Sequence, residues 1–297
     1  MNTGQKHHYI PEFYLKRWSN PSVNGRLYEY CRRYQGVVAR PTYPGGTGYQ
    51  RGLYTFSGLD DEARNFLEDV FLGRADDTAN DALQRLLMQD TNLRPELRVA
   101  WSRYIMTLLH RNPESIQRLR NKVARELPSA LSNFKAAWDL ARRESDPPTF
   151  EEYVTAVPRR DVQQATLMLL QQVMDSQNVG QFLVSMFWSV VTFHTLRYPL
   201  LTSDRPLVMT NGLEKADCHL MMPISPNAIF VATRTSEMMH HLHAECDRRG
   251  HRIAEHLNDL IARQSHKFVW GTDPHQVCFV SKRIGQKLRS TPLETQE

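Results

Sequence analysis

Lys6-His7-His8-Tyr9 and Ser203-Asp204-Arg205 are the two short stretches of this sequence whose residue types could perform chemistry. Imidazoles beside a lysine can move protons near neutral pH and hold an anion. An aspartate flanked by a hydroxyl and an arginine can orient a histidine or hold a divalent ion, or it can form a turn by bonding nearby backbone groups. His7 and His8 are neighbours. In an extended segment they point to opposite sides, and in a helix they diverge by about 100°. One metal ion rarely takes both. The expected division is one ring toward a site and one hydrogen-bonded into the fold, with either histidine in either role. If Asp204 meets one of the rings, a His–Asp pair forms. The candidates are therefore His7, His8 and Asp204 for catalysis and Lys6, Tyr9, Ser203 and Arg205 for substrate binding. The opposing reading makes both rings bridges from the terminus to the backbone and makes Asp204 a turn former.

Something must position these residues. Chain ends stay loose unless they are tied down, and Tyr9, Phe13, Tyr14 and Trp18 give this one the apolar surface to dock. Pro11 suits the first turn of a short helix through Trp18, anchored by Phe13, Tyr14 and Leu15. After the Asn24-Gly25 turn signal, residues 26–30 alternate as a strand, and 41–58 read as a long irregular loop. Helical spacing starts at Leu59, with Phe66, Leu67, Val70 and Phe71 as its stripe. It continues over 76–88, 95–110, a basic helix at 114–126, 129–143, 161–175 and 179–193, with a linker signal at Asp146-Pro147-Pro148. From Tyr198 the pattern changes to short apolar runs at 200–202, 206–209, 220–222 and 229–232, which read as strands. Pro223-Ile224-Ser225-Pro226 reads as a rigid turn. A helix over 235–264, kinked near Gly250, precedes final strands at 267–270 and 277–280.

Strands segregated from a helical block indicate an α+β fold: a mainly helical middle, with an antiparallel sheet built from the C-terminal strands and an N-terminal strand. Residues 1–290 are expected to form a single composite domain. It comprises the motif, strand and loop (1–58), a helical block (59–195) and a β-rich block with a crossing helix (196–290), followed by a flexible tail at 291–297.

Charge is distributed in blocks. Residues 1–51 hold eight Lys/Arg against two Glu, 59–90 hold nine Asp/Glu against three Arg, and 94–126 hold eight Lys/Arg against three Glu. Basic blocks suit a polyanionic partner, nucleic acid first among them. No phosphate-binding Gly-rich loop, zinc-ribbon spacing or GxSxG elbow is present. His241 and Glu245 share a helical face at a spacing that can bind metal, but without an HExxH motif the polar cluster reads as a solvated face. Arg103, Tyr104, His110 and Arg111 read the same way. Cys31, Cys218, Cys246 and Cys278 show no CxxC spacing and are expected to be reduced. The apolar run 182–193 is interrupted by Ser185, Ser189 and Thr192 and reads as a buried helix, so no membrane span is expected. No secretory signal is evident, and the cytoplasm is the expected compartment.

Lys6-His7-His8-Tyr9-Ile10-Pro11 with Phe13-Tyr14-Leu15, then Thr202-Ser203-Asp204-Arg205-Pro206, then Pro223-Ile224-Ser225-Pro226 occur in an order and spacing that span nearly the whole chain. Asn258 and Ser265-His266-Lys267-Phe268-Val269 extend the pattern. The chain resembles the bacterial domain-of-unknown-function family 4238, with Ile224 standing where leucine is usual. The resemblance implies candidate residues without implying a reaction. The favoured expectation is a hydrolase-type enzyme acting on a phosphate-bearing polyanion, with a nuclease as its first form. The alternative is a non-catalytic nucleic-acid- or protein-binding module with a structural N-terminal clasp. The cofactor is unspecified, a divalent metal ion being compatible, and the oligomeric state is open.

Overall fold

In the computed structural model, residues 6–54, 72–132, 135–143, 146–155, 159–210, 212–213 and 215–286 are described. The expected helix from Leu59 and the tail at 291–297 lie outside these residues. The architecture is α+β.

The opening residues form a strand. Lys6–His8 (β1) pairs antiparallel with Tyr49–Arg51 (β4), so the expected irregular loop carries a strand of its own. Gly48 makes the junction. Its carbonyl accepts the backbone N–H groups of Tyr9 (3.0 Å) and Ile10 (3.1 Å). A Cβ on Gly48 would stand 3.0 Å from Leu15 and 3.1 Å from the Ile10 carbonyl, at a φ of +66°, so both the close approach and the backbone conformation call for glycine.

The helix Glu12–Leu15 (α1) and a 3₁₀ turn over Lys16–Trp18 follow, burying Tyr14, Leu15 and Trp18. The Tyr14 hydroxyl donates to the Pro223 carbonyl (2.6 Å). A phenol has one proton, so in the 2.8 Å contact with Thr202 Oγ1 the threonine donates. Trp18 Nε1 donates to the Leu200 carbonyl (2.7 Å). Three segments far apart in sequence thus meet at one buried hydroxyl.

Among the described residues, two four-stranded antiparallel sheets carry the β structure besides β1 and β4. In the first, the hairpin Leu27–Arg33 (β2) and Gly36–Thr42 (β3) is joined by Phe268–Gly271 (β10) and Thr202–Ser203 (β6), in the order β3-β2-β10-β6. N-terminal and C-terminal strands therefore share one sheet. In the second, Phe187–Thr192 (β5), Ala228–Thr233 (β9), His219–Ser225 (β8) and Val208–Thr210 (β7) lie side by side. Every residue of β9 is buried. Phe230 and Ala232 face the core that holds Tyr14, Trp18, Trp101 and Trp270, while Ile229 and Val231 face a second core with Leu257, Ile261 and Val269. A strand buried on both faces reads as an unbroken apolar run.

The helical block comprises Gly73–Leu87 (α2), Pro95–His110 (α3), Pro113–Ser132 (α4), Lys135–Ala141 (α5), Phe150–Thr155 (α6), Arg159–Met174 (α7) and Gln177–Ser185 (α8). Pro95 and Pro113 open their helices, where a missing N–H removes no helical bond. Ser236–Gln264 (α9) is capped by Thr235, whose Oγ1 accepts the Met238 N–H (3.2 Å). It kinks at Arg249, next to Gly250, where a Cβ would press on the Phe193 ring at 3.2 Å.

Four expectations need correction. The run 182–193 is not one helix: α8 ends at Ser185, and β5 takes the aromatic and β-branched residues Phe187, Trp188, Val190, Val191 and Thr192, which suit a strand paired to β9. Residues 277–280 belong to a short helix, Val277–Ser281 (α10), because Pro274 and Asp273 start a helical turn through bonds to Val277 and His275. Pro223, Ile224 and Ser225 lie within β8, beside a register shift, and the turn falls after Ser225. Tyr104 and Arg111 are buried in the core rather than solvated.

Removing the Tyr14 hydroxyl with Tyr14→Phe keeps the ring packing but strands the Pro223 carbonyl. We expect a loss of about 1–3 kcal/mol in urea unfolding with an unchanged m-value. A second test concerns His110, whose imidazole burial pushes down from 6.5 to about 4. The unfolded chain takes up this proton at the ordinary pKa, and the folded chain resists it. Stability is therefore complete above about pH 6.5 and falls as the pH drops toward about 4, by up to about 3 kcal/mol from this group. His110→Gln should flatten that stretch of the stability–pH profile.

Candidate active site

Asp204 follows β6 and is buried. Its Oδ1 accepts the backbone N–H of His266 (2.8 Å), and its Oδ2 accepts those of Lys267 (2.6 Å) and Phe268 (3.0 Å). The Asp204 N–H in turn donates to the Phe268 carbonyl (3.1 Å). Burial pushes this carboxyl above the usual carboxylate range, the three N–H bonds pull it back, and the Glu114 charge adds to the rise. Asp204 thus holds the turn between α9 and β10, and it bonds neither His7 nor His8. Ser203 Oγ accepts the Arg205 N–H (3.2 Å), a local turn within the same stretch.

The turn that Asp204 grips carries His266. Its Nδ1 lies 2.7 Å from Oε1 of Glu114, in the first turn of α4, and about half of the ring side chain is open to solvent. Arg205 brings Nη2 to 3.9 Å from the other oxygen of Glu114. Tyr9, buried at the end of β1, completes the group. Its hydroxyl is pushed strongly upward, by burial foremost and then by the fields of Asp204, Glu114 and Glu29, so it stays a neutral phenol. Glu29 is itself buried on β2. It accepts from Arg40 (2.8 Å) and from Thr47, whose Oγ1 takes the Trp270 indole N–H (3.0 Å).

The structure therefore brings Arg205 to a Glu114–His266 pair and sets Asp204 behind His266, with Ser203 in the same stretch and Tyr9 within the field of Glu114. The other candidates lie along β1. The buried His7 accepts the Tyr54 backbone N–H at Nδ1 (2.9 Å) and stacks on the Tyr54 ring at 5.3 Å. His8 tilts against the Tyr49 ring at 5.5 Å. Lys6 donates to the Gly45 carbonyl (3.4 Å) and lies 4.6 Å over the same Tyr49 ring. Along β1, His7 is buried and His8 is half-buried.

Glu114 and His266 were not among the sequence candidates. His266 falls in the Ser265-to-Val269 stretch of the family-like pattern, the one signal pointing to it; Glu114 has none beyond its place at a helix start. Glu245 is engaged by Arg248 and lies 4.0 Å from Arg249. Among the described residues, no group of three or more His, Cys, Asp and Glu side chains is arranged to hold a metal ion. None of the described helices is long and apolar enough to cross a membrane.

With this geometry in view, the motif segments find their counterpart. A family model described as "Protein of unknown function (DUF4238)" matches residues 6–275. The chain belongs to that family. No curated protein and no solved structure gives a significant match. In this DUF4238 chain the Tyr14 bonds join the three motif segments, and Asp204 ties the second of them to the stretch at 265–269.

Asp204→Asn keeps the shape but replaces one acceptor oxygen with a donor that faces backbone N–H groups. We expect a loss of about 2–4 kcal/mol in chemical unfolding, with faster amide exchange at residues 266–268 than at the centre of α9.

Proposed function

We propose that this protein is a cytoplasmic hydrolase-type enzyme acting on a phosphate-bearing polyanion, with nucleic acid as the first substrate to try and Glu114–His266 as its proton-transfer pair. The observation that carries this reading is the 2.7 Å contact between His266 Nδ1 and the Glu114 carboxylate, on a side chain about half open to solvent. A carboxylate only accepts, so Nδ1 carries the shared proton; the scheme uses the neutral ring, in which Nε2 keeps a lone pair. Nε2 can then take a proton from an attacking water as the phosphorus–oxygen bond to the leaving group breaks, and return it to the departing oxygen. Arg205 supplies positive charge beside the pair for the phosphate oxygens. The exposed basic residues Arg118, Lys122 and Arg125 share one face of α4 and extend that charge along the helix. In this scheme Asp204 is a positioning residue, since it touches the backbone of His266 and not the reacting atoms.

A second reading has its own support. His7 is buried on a backbone partner and Asp204 spends its carboxylate on backbone, as a structural clasp in a binding module would.

Wild type, His266→Ala and Glu114→Gln should be incubated with RNA and with DNA in magnesium or manganese. Cleavage by wild type that falls by about 100-fold or more in His266→Ala and by about tenfold in Glu114→Gln supports the enzyme. Wild type that cleaves neither nucleic acid, yet retards either in a salt-dependent way, supports the binding module instead.

A further inference from the structure

Arg111 ends α3 with its guanidinium fully buried. Its Nη1 meets both carboxylate oxygens of Asp76 at 3.0 and 3.1 Å. Nε and Nη2 have no hydrogen-bond partner among the described residues, and neither do the buried Tyr104 hydroxyl and Trp101 Nε1. Positions 101, 104 and 111 follow helical spacing, so these side chains leave one face of α3. The Tyr104 ring lies 5.0 Å from the Trp101 ring and 5.4 Å from the Arg111 guanidinium carbon.

Buried donors without acceptors are rare, because each gives up its hydration for nothing. Here they cluster, and every unmatched group on this face is able to donate. The part of Arg111 left open is the Nε/Nη2 fork, whose parallel N–H bonds match two oxygens of a phosphate or a carboxylate. The Tyr104 ring attracts the cation with its face but supplies no in-plane acceptor for that fork. We propose that this face of α3 is a binding site for a small oxyanion, gripped by the Arg111 fork with Tyr104 and Trp101 as neighbouring donors. The inference does not depend on the reaction proposed for Glu114–His266.

Thermal unfolding of the full chain should be followed across a series of inorganic phosphate and, separately, of acetate, with chloride holding the ionic strength constant. A saturating rise in Tm is expected. A response to phosphate alone identifies a phosphate ligand, a response to acetate alone a carboxylate, and a response to both a general oxyanion site. Arg111→Lys, which lacks the fork, should lose the rise. Tyr104→Phe, which keeps the ring packing and guards against a misfolded Arg111 variant, should raise the apparent Kd by about tenfold. A flat Tm in both anions overturns the proposal, as does a wild-type response from Tyr104→Phe.

Discussion

The Tyr14 hydroxyl, held between Thr202 and the Pro223 carbonyl, is the constraint on which the rest of the arrangement depends. A phenol buried this completely is favourable only if its polar tip is satisfied. Here the oxygen donates once and accepts once, and each bond reaches a different sheet. β6 belongs to the sheet shared with the β2–β3 hairpin, and β8 belongs to the other. One side chain from a four-residue helix therefore fixes the seam between two sheets. Trp18 repeats the device one turn later on the Leu200 carbonyl. With α1 so fixed, Gly48 captures the backbone of Tyr9 and Ile10, β1 pairs with β4, and Tyr9 is buried within the fields of Asp204, Glu114 and Glu29.

Much of this was legible in the sequence. The density of rings over residues 9–18 reads as a docked segment. Of the expected anchors Phe13, Tyr14 and Leu15, the last two are fully buried, Phe13 packs partly buried against the core, and Trp18 is buried beside them. Helices with strong periodicity and proline starts, such as α3, are found where the pattern puts them. Errors fall on short apolar runs. The stretches 187–192 and 277–280 are too short for periodicity to separate strand from helix, and the partner decides: β9 recruits one, while Asp273 and Pro274 wind the other. Arg111 was illegible for a different reason. An arginine at the end of a basic helix reads as solvated, and only the packing of α2 and its Asp76 against α3 puts it in the core.

The candidate site divides along the same line. Residue types marked the two stretches that frame it, but the pairing of Glu114 with His266 joins a helix start to the turn after α9, and no local pattern encodes such a meeting. That Asp204 bonds the backbone of 266–268 rather than His7 or His8 is likewise a property of the folded chain.

This choice of partner has a consequence for how the site is built. A carboxylate that grips three consecutive N–H groups reads only backbone, so it fixes the path of the chain without specifying the side chains at 266, 267 and 268. The Thr-Ser-Asp stretch then serves as a mount for the turn that carries His266. Burial makes the mount stiff, since an Asp204 that let go would leave a carboxylate in a dry core with no partner. It also leaves His266 half exposed, pinned at its backbone and tethered at one ring nitrogen by a carboxylate from another element. Rigidity at the backbone and openness at the ring conflict when one aspartate must both bind and orient a histidine. Here Asp204 holds the chain and Glu114 orients the ring, so both are met at once.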